Sequence, residues 1–134
     1  MGRPVVHFEI GCRDSKKTQE FYAQMFGWNI TEAGPAAMIA PVAPGIGGHI
    51  TALGHEPYRY TTFYVPTKHL GIKLLGVLRI TAANVDVEDV AAYLKKAESL
   101  GGKTLVPPVE IPTGTFAWMQ DPEGNTVGLW KSKT

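Results

Sequence analysis

Polar and apolar side chains alternate over residues 5–10, which read Val-Val-His-Phe-Glu-Ile. A period of two predicts a β-strand, with His7 and Glu9 on one face and the apolar side chains on the other. The next segment changes to a helical period. Asp14 or Ser15 can cap a helix over residues 15–26, because both residue types accept hydrogen bonds from exposed backbone amides.

The bulky apolar positions of this helix form a single stripe, which consists of Phe21, Tyr22, Met25 and Phe26. Gly27 can end the helix in a left-handed conformation. Three short strands separated by glycine and proline turns are predicted afterwards, at 28–31, 37–40 and 49–53. The first half of the chain is therefore predicted to be a β-α-β-β-β module.

The second half repeats this order. Asp86 is the predicted cap of a helix over 87–100, and Gly101-Gly102 is its predicted end. Pro107-Pro108 is predicted to end the first of the strands that follow the helix, and Asp-Pro-Glu-Gly-Asn at 121–125 reads as a hairpin turn. The predicted strands of this half are 77–81, 103–106, 115–119 and 126–131.

The strand that opens the second module has two candidates. Residues 60–65, Tyr-Thr-Thr-Phe-Tyr-Val, are as strand-like as Val77 to Thr81, and the segment 66–76 between them has no counterpart in the first half. We favour 77–81, because it leads closely into the helix cap, as the first strand does. The prediction is a single α+β domain over 1–134, in which modules at about 5–53 and 77–130 are joined by a linker at 54–76.

Composition and charge exclude several classes of protein. A net charge of +1, from 13 basic and 12 acidic residues scattered along the chain, argues against a nucleic-acid partner. No apolar run approaches 18 residues and no signal peptide is recognisable, which argues against a membrane protein. The single cysteine, Cys12, cannot form an internal disulfide. We therefore expect a cytoplasmic protein.

Several short motifs accompany the two modules: Val-His-Phe-Glu-Ile at 6–10, Phe21-Tyr22, Phe26-Gly27-Trp28, Leu-Gly-Gly-Lys at 100–103, Thr-Phe-Ala at 115–117 and the segment 121–130. The modules and these motifs together resemble the vicinal oxygen chelate superfamily, which includes glyoxalase I, bleomycin-resistance proteins, fosfomycin-resistance enzymes and extradiol dioxygenases. The resemblance implies that each module curls its sheet into half a cup, that the two halves enclose a site, and that the chain forms a homodimer.

The resemblance also indicates where a metal would bind. In metal-binding relatives the ligands lie on the first and last strands of each module, which here are the positions of His7, His49 and Gly128. Relatives usually carry a glutamate at the position of Gly128. The fourth position is Arg79 if the helix caps are aligned, Thr81 if the helix ends are aligned, or Thr62 if residues 60–65 open the module.

A tight divalent site normally needs three protein ligands, so this set implies a degenerate metal site. No cofactor is therefore expected. A divalent metal held by His7 and His49 is the alternative.

Five side chains are candidates for binding a small molecule: His7, Glu9, Arg79, Phe116 and Trp118. Arg79 could bind a carboxylate or phosphate, although the favoured interpretation is an arginine that faces solvent on an edge strand. Phe116 and Trp118 share a strand face and suit a flat ligand, although aromatic residues at this spacing are more often core.

These observations predict a small-molecule binding protein of the bleomycin-resistance type. The alternative is a divalent-metal-dependent lyase or dioxygenase of the glyoxalase type. The expected partners are a small-molecule ligand and a second copy of the chain.

Overall fold

A computed structural model of the chain describes residues 5–52, 54, 58, 60–64 and 83–133. The elements are β1 (His7–Gly11), α1 (Ser15–Phe26), β2 (Ile30–Ala33), β3 (Ala36–Ile39), β4 (Gly48–Thr51), β5 (Tyr60–Tyr64), β6 (Ala83–Asp86), α2 (Val90–Ser99), β7 (Lys103–Ile111), β8 (Gly114–Gln120) and β9 (Thr126–Ser132). The predicted α+β class is confirmed. Within the described residues, neither helix is long and apolar enough to cross a membrane.

Hydrogen bonding divides the strands into a five-stranded sheet, β2-β3-β4-β1-β5, and a four-stranded sheet, β6-β9-β8-β7. The strand before each helix runs parallel to the last strand of its own module, β1 with β4 and β6 with β9. The other neighbours within each module are antiparallel. The two modules therefore share one connectivity.

Residues 60–64 belong to the first sheet. As β5 they pair antiparallel with β1, so the alternative in which this segment opens the second module is wrong. The strand that precedes α2 and pairs with β9 is β6. The favoured candidate, 77–81, lies outside the described residues, and β6 lies closer to the helix than that prediction placed it.

The first helix follows its sequence pattern. Asp14 is the N-cap, and its side chain accepts a hydrogen bond from the Lys17 backbone amide at 3.0 Å. Gly27 ends the helix in the left-handed region at φ 68°, where a residue with a Cβ is strained. The stripe predicted to face the core does so, since Phe21, Tyr22 and Met25 are all buried.

The predicted cap of the second helix is wrong by three residues. Asp89, and not Asp86, caps α2 through a 3.0 Å hydrogen bond from the Ala92 amide. Asp86 instead pairs with Trp130 as the last residue of β6. A side chain whose backbone is still extended in a sheet cannot cap a helix that starts four residues later.

The predicted break at Pro107-Pro108 is also wrong, because β7 continues through both prolines to Ile111. Register shifts between Thr104 and Val106 and between Val106 and Val109 mark irregular pairing on this strand. Since β7 is the edge of its sheet, one side of its backbone has no strand partner among the described residues. Proline, which has no amide hydrogen, is tolerated on such a strand.

One hydrophobic core serves both modules. Ile10, Ile50 and Tyr22 of the first module belong to the same buried cluster as Leu94 and Leu129 of the second. Because residues on a strand alternate between faces, the opposite face of β1 and β4 is the one that carries His7, Glu9 and His49.

The turn over 121–125 fastens the second module to the first. Asp121 accepts a hydrogen bond at 2.9 Å from the hydroxyl of Tyr22 on α1. The Asn125 amide donates to the Gly11 carbonyl at the end of β1, at 2.8 Å. The Glu123 carboxylate accepts from the backbone amides of Arg13 and Asp14, each at 3.1 Å. We call this turn the clasp.

Candidate functional site

Strands β1 and β4 place three of the predicted polar residues together. Glu9 and His49 are register partners on the two parallel strands, and His7 is two residues before Glu9 on the same face of β1. The rings of His7 and His49 are stacked, with centroids 4.9 Å apart and planes inclined at 29°. His7 and His49 are half-buried, whereas Glu9 is only 5% exposed.

These side chains form a hydrogen-bonded series. Nε2 of His7 lies 2.6 Å from Nδ1 of His49, and Nε2 of His49 lies 3.3 Å from Oε2 of Glu9. The hydroxyl of Tyr60, on β5, donates to Oε1 of Glu9. Both oxygens of this buried carboxylate therefore have a protein partner, as a buried carboxylate requires. We call Tyr60, Glu9, His49 and His7 the polar relay.

Tyr60 holds its position because Gly11 has no side chain. A Cβ built on Gly11 would lie 2.2 Å from Cε1 of the Tyr60 ring and 2.8 Å from the Tyr58 carbonyl oxygen. These separations are shorter than real Cβ contacts allow. The bare backbone at position 11 thus lets the tyrosine ring lie over β1 and reach the Glu9 carboxylate.

Burial disfavours a positive charge on the outer histidine. The pKa of His7 is lowered from its ordinary value of 6.5, chiefly by burial and then by the neighbouring His49. Glu9 acts in the opposite direction. His7 is accordingly held in its neutral form near neutral pH, in which one ring nitrogen donates and the other accepts.

The hydrogen bond between the two histidines bears on the metal-site prediction. A metal ligand must offer a lone pair, yet a hydrogen bond between His7 Nε2 and His49 Nδ1 requires a proton on one of these two nitrogens. Among the residues that the structure describes, no group of three or more His, Cys, Asp or Glu side chains is arranged to hold a metal ion. In this arrangement, a cation would have to displace the proton shared by the two histidines.

The second module carries different residues at the corresponding positions, with Asn84 in place of Glu9 and Gly128 in place of His49. Gly128 on β9 is the register partner of Asn84 on β6, just as His49 on β4 is the register partner of Glu9 on β1. His7 is seven residues before the cap Asp14, and the residue seven before the cap Asp89 is Ala82. The alignment of helix caps that selected Arg79 is therefore wrong, because it used Asp86 as the cap.

The other sheet carries aromatic side chains instead. Phe116 and Trp118 on β8 are half-buried, whereas Ala117 and Met119, which point to the opposite face, are fully buried in the core. Trp130 on β9 is the register partner of Phe116 and is also half-buried. The three rings thus lie on the face turned away from the core. We call Phe116, Trp118 and Trp130 the aromatic face.

Of the remaining residues considered from the sequence, Cys12 lies in the buried core. Arg79 lies outside the described residues. Cys12 is fully buried, and its thiol donates to the Thr51 carbonyl oxygen at 3.6 Å. Burial raises the pKa of Cys12, which keeps the thiol protonated and makes a nucleophilic role unfavourable.

Tyr60 and Gly11 were not among the residues predicted for the site. The segment that contains Tyr60 was recognisable as a strand, but its pairing with β1 is a tertiary contact. Gly11 follows a predicted strand directly, and a glycine there is compatible with close approach of another group. That pattern is the one feature of the sequence that could have indicated a ring packed over the strand.

Comparison with known proteins agrees with this architecture. The family model described as the Glyoxalase/Bleomycin resistance protein/Dioxygenase superfamily matches residues 5–129. Among curated proteins, the anthracycline biosynthesis protein DnrV of Streptomyces peucetius is 24% identical over an alignment of 132 residues, which covers 92% of this chain and 45% of DnrV. The chain thus spans about half the length of this relative.

Two solved structures show the same fold at low identity. TnmS3, an antibiotic binding protein from a Streptomyces species, has a TM-score of 0.64 at 19% identity and covers 97% of this chain and 96% of its own. A glyoxalase-related enzyme from Fulvimarina pelagi has a TM-score of 0.66 at 18% identity, and covers 96% of this chain and 88% of its own.

Proposed function

Because the chain belongs to the glyoxalase/bleomycin resistance protein/dioxygenase superfamily, we propose that it binds a flat aromatic small molecule on the helix-free faces of its two sheets. In this proposal, ligand rings stack on the aromatic face, and the polar relay supplies the hydrogen bonds. The observation that carries the proposal is that Phe116 and Trp118 are only half-buried, whereas Ala117 and Met119 on the opposite face of β8 are fully buried.

The physical argument for stacking is the chemistry of the exposed surface. Large rings that remain partly exposed lose contact with water when a flat ligand covers them, which favours binding. A few polar groups next to apolar rings are the usual composition of a small-molecule site.

Two of the similar proteins support a ligand of this class. TnmS3 has the same fold and is described as an antibiotic binding protein. DnrV is described as an anthracycline biosynthesis protein, and anthracyclines are flat, fused-ring compounds. Since this chain covers 45% of DnrV, the proposal extends to the ligand class and not to the activity of that whole protein.

Isothermal titration calorimetry with daunorubicin, anthraquinone-2-sulfonate and naphthalene-2-sulfonate tests the proposal. We expect saturable binding of at least one of them, and an affinity at least about tenfold lower in Trp118→Ala, since a buried aromatic contact contributes about 1.5 kcal/mol or more. Trp118→Phe should recover part of the loss. Val42→Ala, which shortens an apolar side chain that is 64% exposed in the loop after β3, is the control.

Equal affinities in Trp118→Ala and Val42→Ala would place the ligand elsewhere. Absence of saturable binding for all three compounds would argue against a flat aromatic ligand. Circular dichroism of each variant separates lost binding from lost folding.

One observation favours the alternative of a metal-dependent lyase or dioxygenase, namely that β1 and β4 bring His7 and His49 into contact. The hydrogen bond between them opposes it. We expect less than about 0.1 equivalent of Ni, Zn, Fe or Mn per chain by inductively coupled plasma mass spectrometry of the purified protein, because tight divalent sites use three protein ligands. Stoichiometric metal that disappears in His7→Ala would establish the alternative.

A further inference from the structure

One carboxylate lies on the same side of the second sheet as the aromatic face, and we propose that it makes the site selective for flat aromatic ligands that carry a positive charge. The carboxylate belongs to Asp86, the last residue of β6. The inference rests on the proposed function, because it names the charge class of the ligand that the same site binds. All of the residues involved belong to one sheet, so strand register fixes their relative positions.

Strand register places Asp86 next to Trp130 in a row that crosses the whole sheet. Asp86 on β6 is the partner of Trp130 on β9, and Trp130 is the partner of Phe116 on β8. Phe116 is in turn the partner of Val109 on the edge strand β7. Residues in one row of a sheet point to the same face. The carboxylate, the two rings and the valine side chain are therefore neighbours on one surface.

The face to which Asp86 points follows from its neighbours along the chain. Val85 packs against the core, and Val87 is buried. Because successive residues of a strand alternate between faces, Asp86 points away from the core, to the side of the aromatic face. Asp86 is exposed, whereas Trp130 and Phe116 are half-buried. The negative charge is therefore at an accessible end of the row, where a ligand can reach it.

Gly114 sets the direction of the Trp130 ring. A Cβ built on Gly114 would lie 2.7 Å from both Cη2 and Cζ2 of the indole, so the ring lies over the bare backbone of β8. Strand β8 is on the far side of β9 from β6. The ring thus leans away from Asp86 and does not cover the carboxylate, in agreement with the exposure of that residue.

The spacing of the row suits a fused-ring cation. Neighbouring strands are about 4.8 Å apart, so the Cα atoms of Phe116 and Asp86, which are separated by two such steps, are roughly 10 Å apart. A fused-ring ligand that stacks on Phe116 and Trp130 can therefore place an amino substituent beside the carboxylate. A cation at this point is attracted by the carboxylate and by the electron-rich face of the indole, whereas an anion is repelled.

The two lysines in the four strands of this sheet do not cancel the charge of Asp86. Lys131 is the register partner of Thr115, which alternates with the aromatic residues of β8, so Lys131 belongs to the opposite face. Lys103 does share the aromatic side, as the register partner of Gln120. However, Lys103 lies on β7, which is at the other edge of the sheet from β6. The row that ends at Asp86 is therefore at the negative end of this face.

Three naphthalene derivatives that differ in one substituent test the charge preference: 2-(aminomethyl)naphthalene, 2-(hydroxymethyl)naphthalene and naphthalene-2-carboxylate. At neutral pH the amine is a cation, the alcohol is neutral and the carboxylate is an anion. In titration calorimetry at low salt, we expect the amine to bind about fivefold more tightly than the alcohol, and the alcohol to bind more tightly than the carboxylate. An ionic strength of about 0.5 M should reduce this preference, because salt screens exposed charges.

The variant Asp86→Asn removes the charge and keeps the shape of the side chain. In this variant the dissociation constants of the amine and the alcohol should agree within about twofold, while the affinity for the alcohol stays as in the native chain. Because Asp89 and not Asp86 caps α2, the helix cap is left in place. Glu20→Gln is the matched control, since it removes one negative charge from an exposed position on α1 and should retain the fivefold preference.

The outcomes separate this inference from the proposed function. If the alcohol binds and its affinity falls in Trp118→Ala, but the amine binds no more tightly than the alcohol, the charge selectivity is wrong and the proposed function stands. A preference for the amine that persists in Asp86→Asn would overturn the assignment of Asp86. If none of the three compounds binds, the proposed function fails for flat aromatic ligands, and the charge selectivity fails with it.

Discussion

Replacement of Asp121 by alanine is expected to lower the free energy of unfolding by about 3 kcal/mol. The side chain accepts hydrogen bonds from the Tyr22 hydroxyl and the Asn125 amide, at 2.9 Å each, and from the backbone amides of Glu123 and Asn125. Tyr22 and Asn125 are buried, so water cannot replace the lost acceptor. Each buried donor left without a partner costs about 1–3 kcal/mol.

Urea unfolding followed by circular dichroism measures the effect of Asp121→Ala. Glu32→Ala removes a carboxylate from an exposed position on β2 and should change the free energy of unfolding by less than about 0.5 kcal/mol. Tyr22→Phe removes a single donor and should cost about 1 kcal/mol. A loss in Asp121→Ala no larger than that in Glu32→Ala would show that the clasp does not stabilise the fold.

The same residue gives the stability a pH dependence of known sign. Burial raises the pKa of Asp121 above its ordinary value of 3.8, although hydrogen bonds from Asn125, Tyr22 and Glu123 oppose the rise. Because the pKa of Asp121 is higher in the folded chain than in the unfolded chain, protonation of Asp121 stabilises the fold. This stabilisation is complete below pH 3.8 and is lost as the pH rises through the folded-state pKa. Asp121→Asn keeps the shape but does not titrate. The stability difference between the native chain and this variant should therefore shrink as the pH rises.

The second large effect is expected from Gly11→Ala, which should destabilise the fold by about 2 kcal/mol. The added methyl group would lie 2.2 Å from a carbon of the Tyr60 ring, and the Tyr58 carbonyl oxygen is also too close. The ring must move, and the Tyr60 hydroxyl then loses its contact with Glu9.

A double-mutant cycle isolates the cause of the Gly11→Ala effect. If the tyrosine ring is the obstacle, Gly11→Ala should cost at least about 1 kcal/mol less in a Tyr60→Ala background than in the native chain. Equal costs in both backgrounds would place the strain in the backbone near Tyr58 instead. Urea unfolding of the four proteins provides all the values that the cycle needs.

Local patterns were sufficient to predict much of the fold. The alternation at residues 5–10 predicted β1, and Asp14 with Gly27 correctly bounded the first helix. Each of these features is decided within a few residues of chain, where capping and side-chain period have the largest influence on the conformation. The repeat of this order in the second half was sufficient to predict two modules.

The errors occur where a distant strand decides the outcome. Asp86 and Asp89 are equally good caps by residue type, and pairing of Asp86 with Trp130 is what leaves the role to Asp89. Pro107 and Pro108 usually break strands, but β7 lies at the edge of its sheet. Trp130 is far from Asp86 in the sequence, and the edge position of β7 depends on the order of the strands in the whole sheet.

Some residues of the candidate site could be predicted from local patterns, and others depend on the pairing of distant strands. His7 and Glu9 were assigned to one face from the period of β1 alone, and His49 from the resemblance between the modules. Tyr60 completes the relay through the antiparallel pairing of β5 with β1, which no local pattern indicates.

The clasp has a consequence for how the chain is made. Tyr22 leaves the ribosome 99 residues before Asp121, the acceptor for its hydroxyl, and Gly11 precedes Asn125 by 114 residues. The early half of a nascent chain therefore cannot complete its own interior, and its exposed apolar stripe must await the last turn. The first half is synthesised before the second, but the contacts that join the two halves can form only after residue 125 has been synthesised.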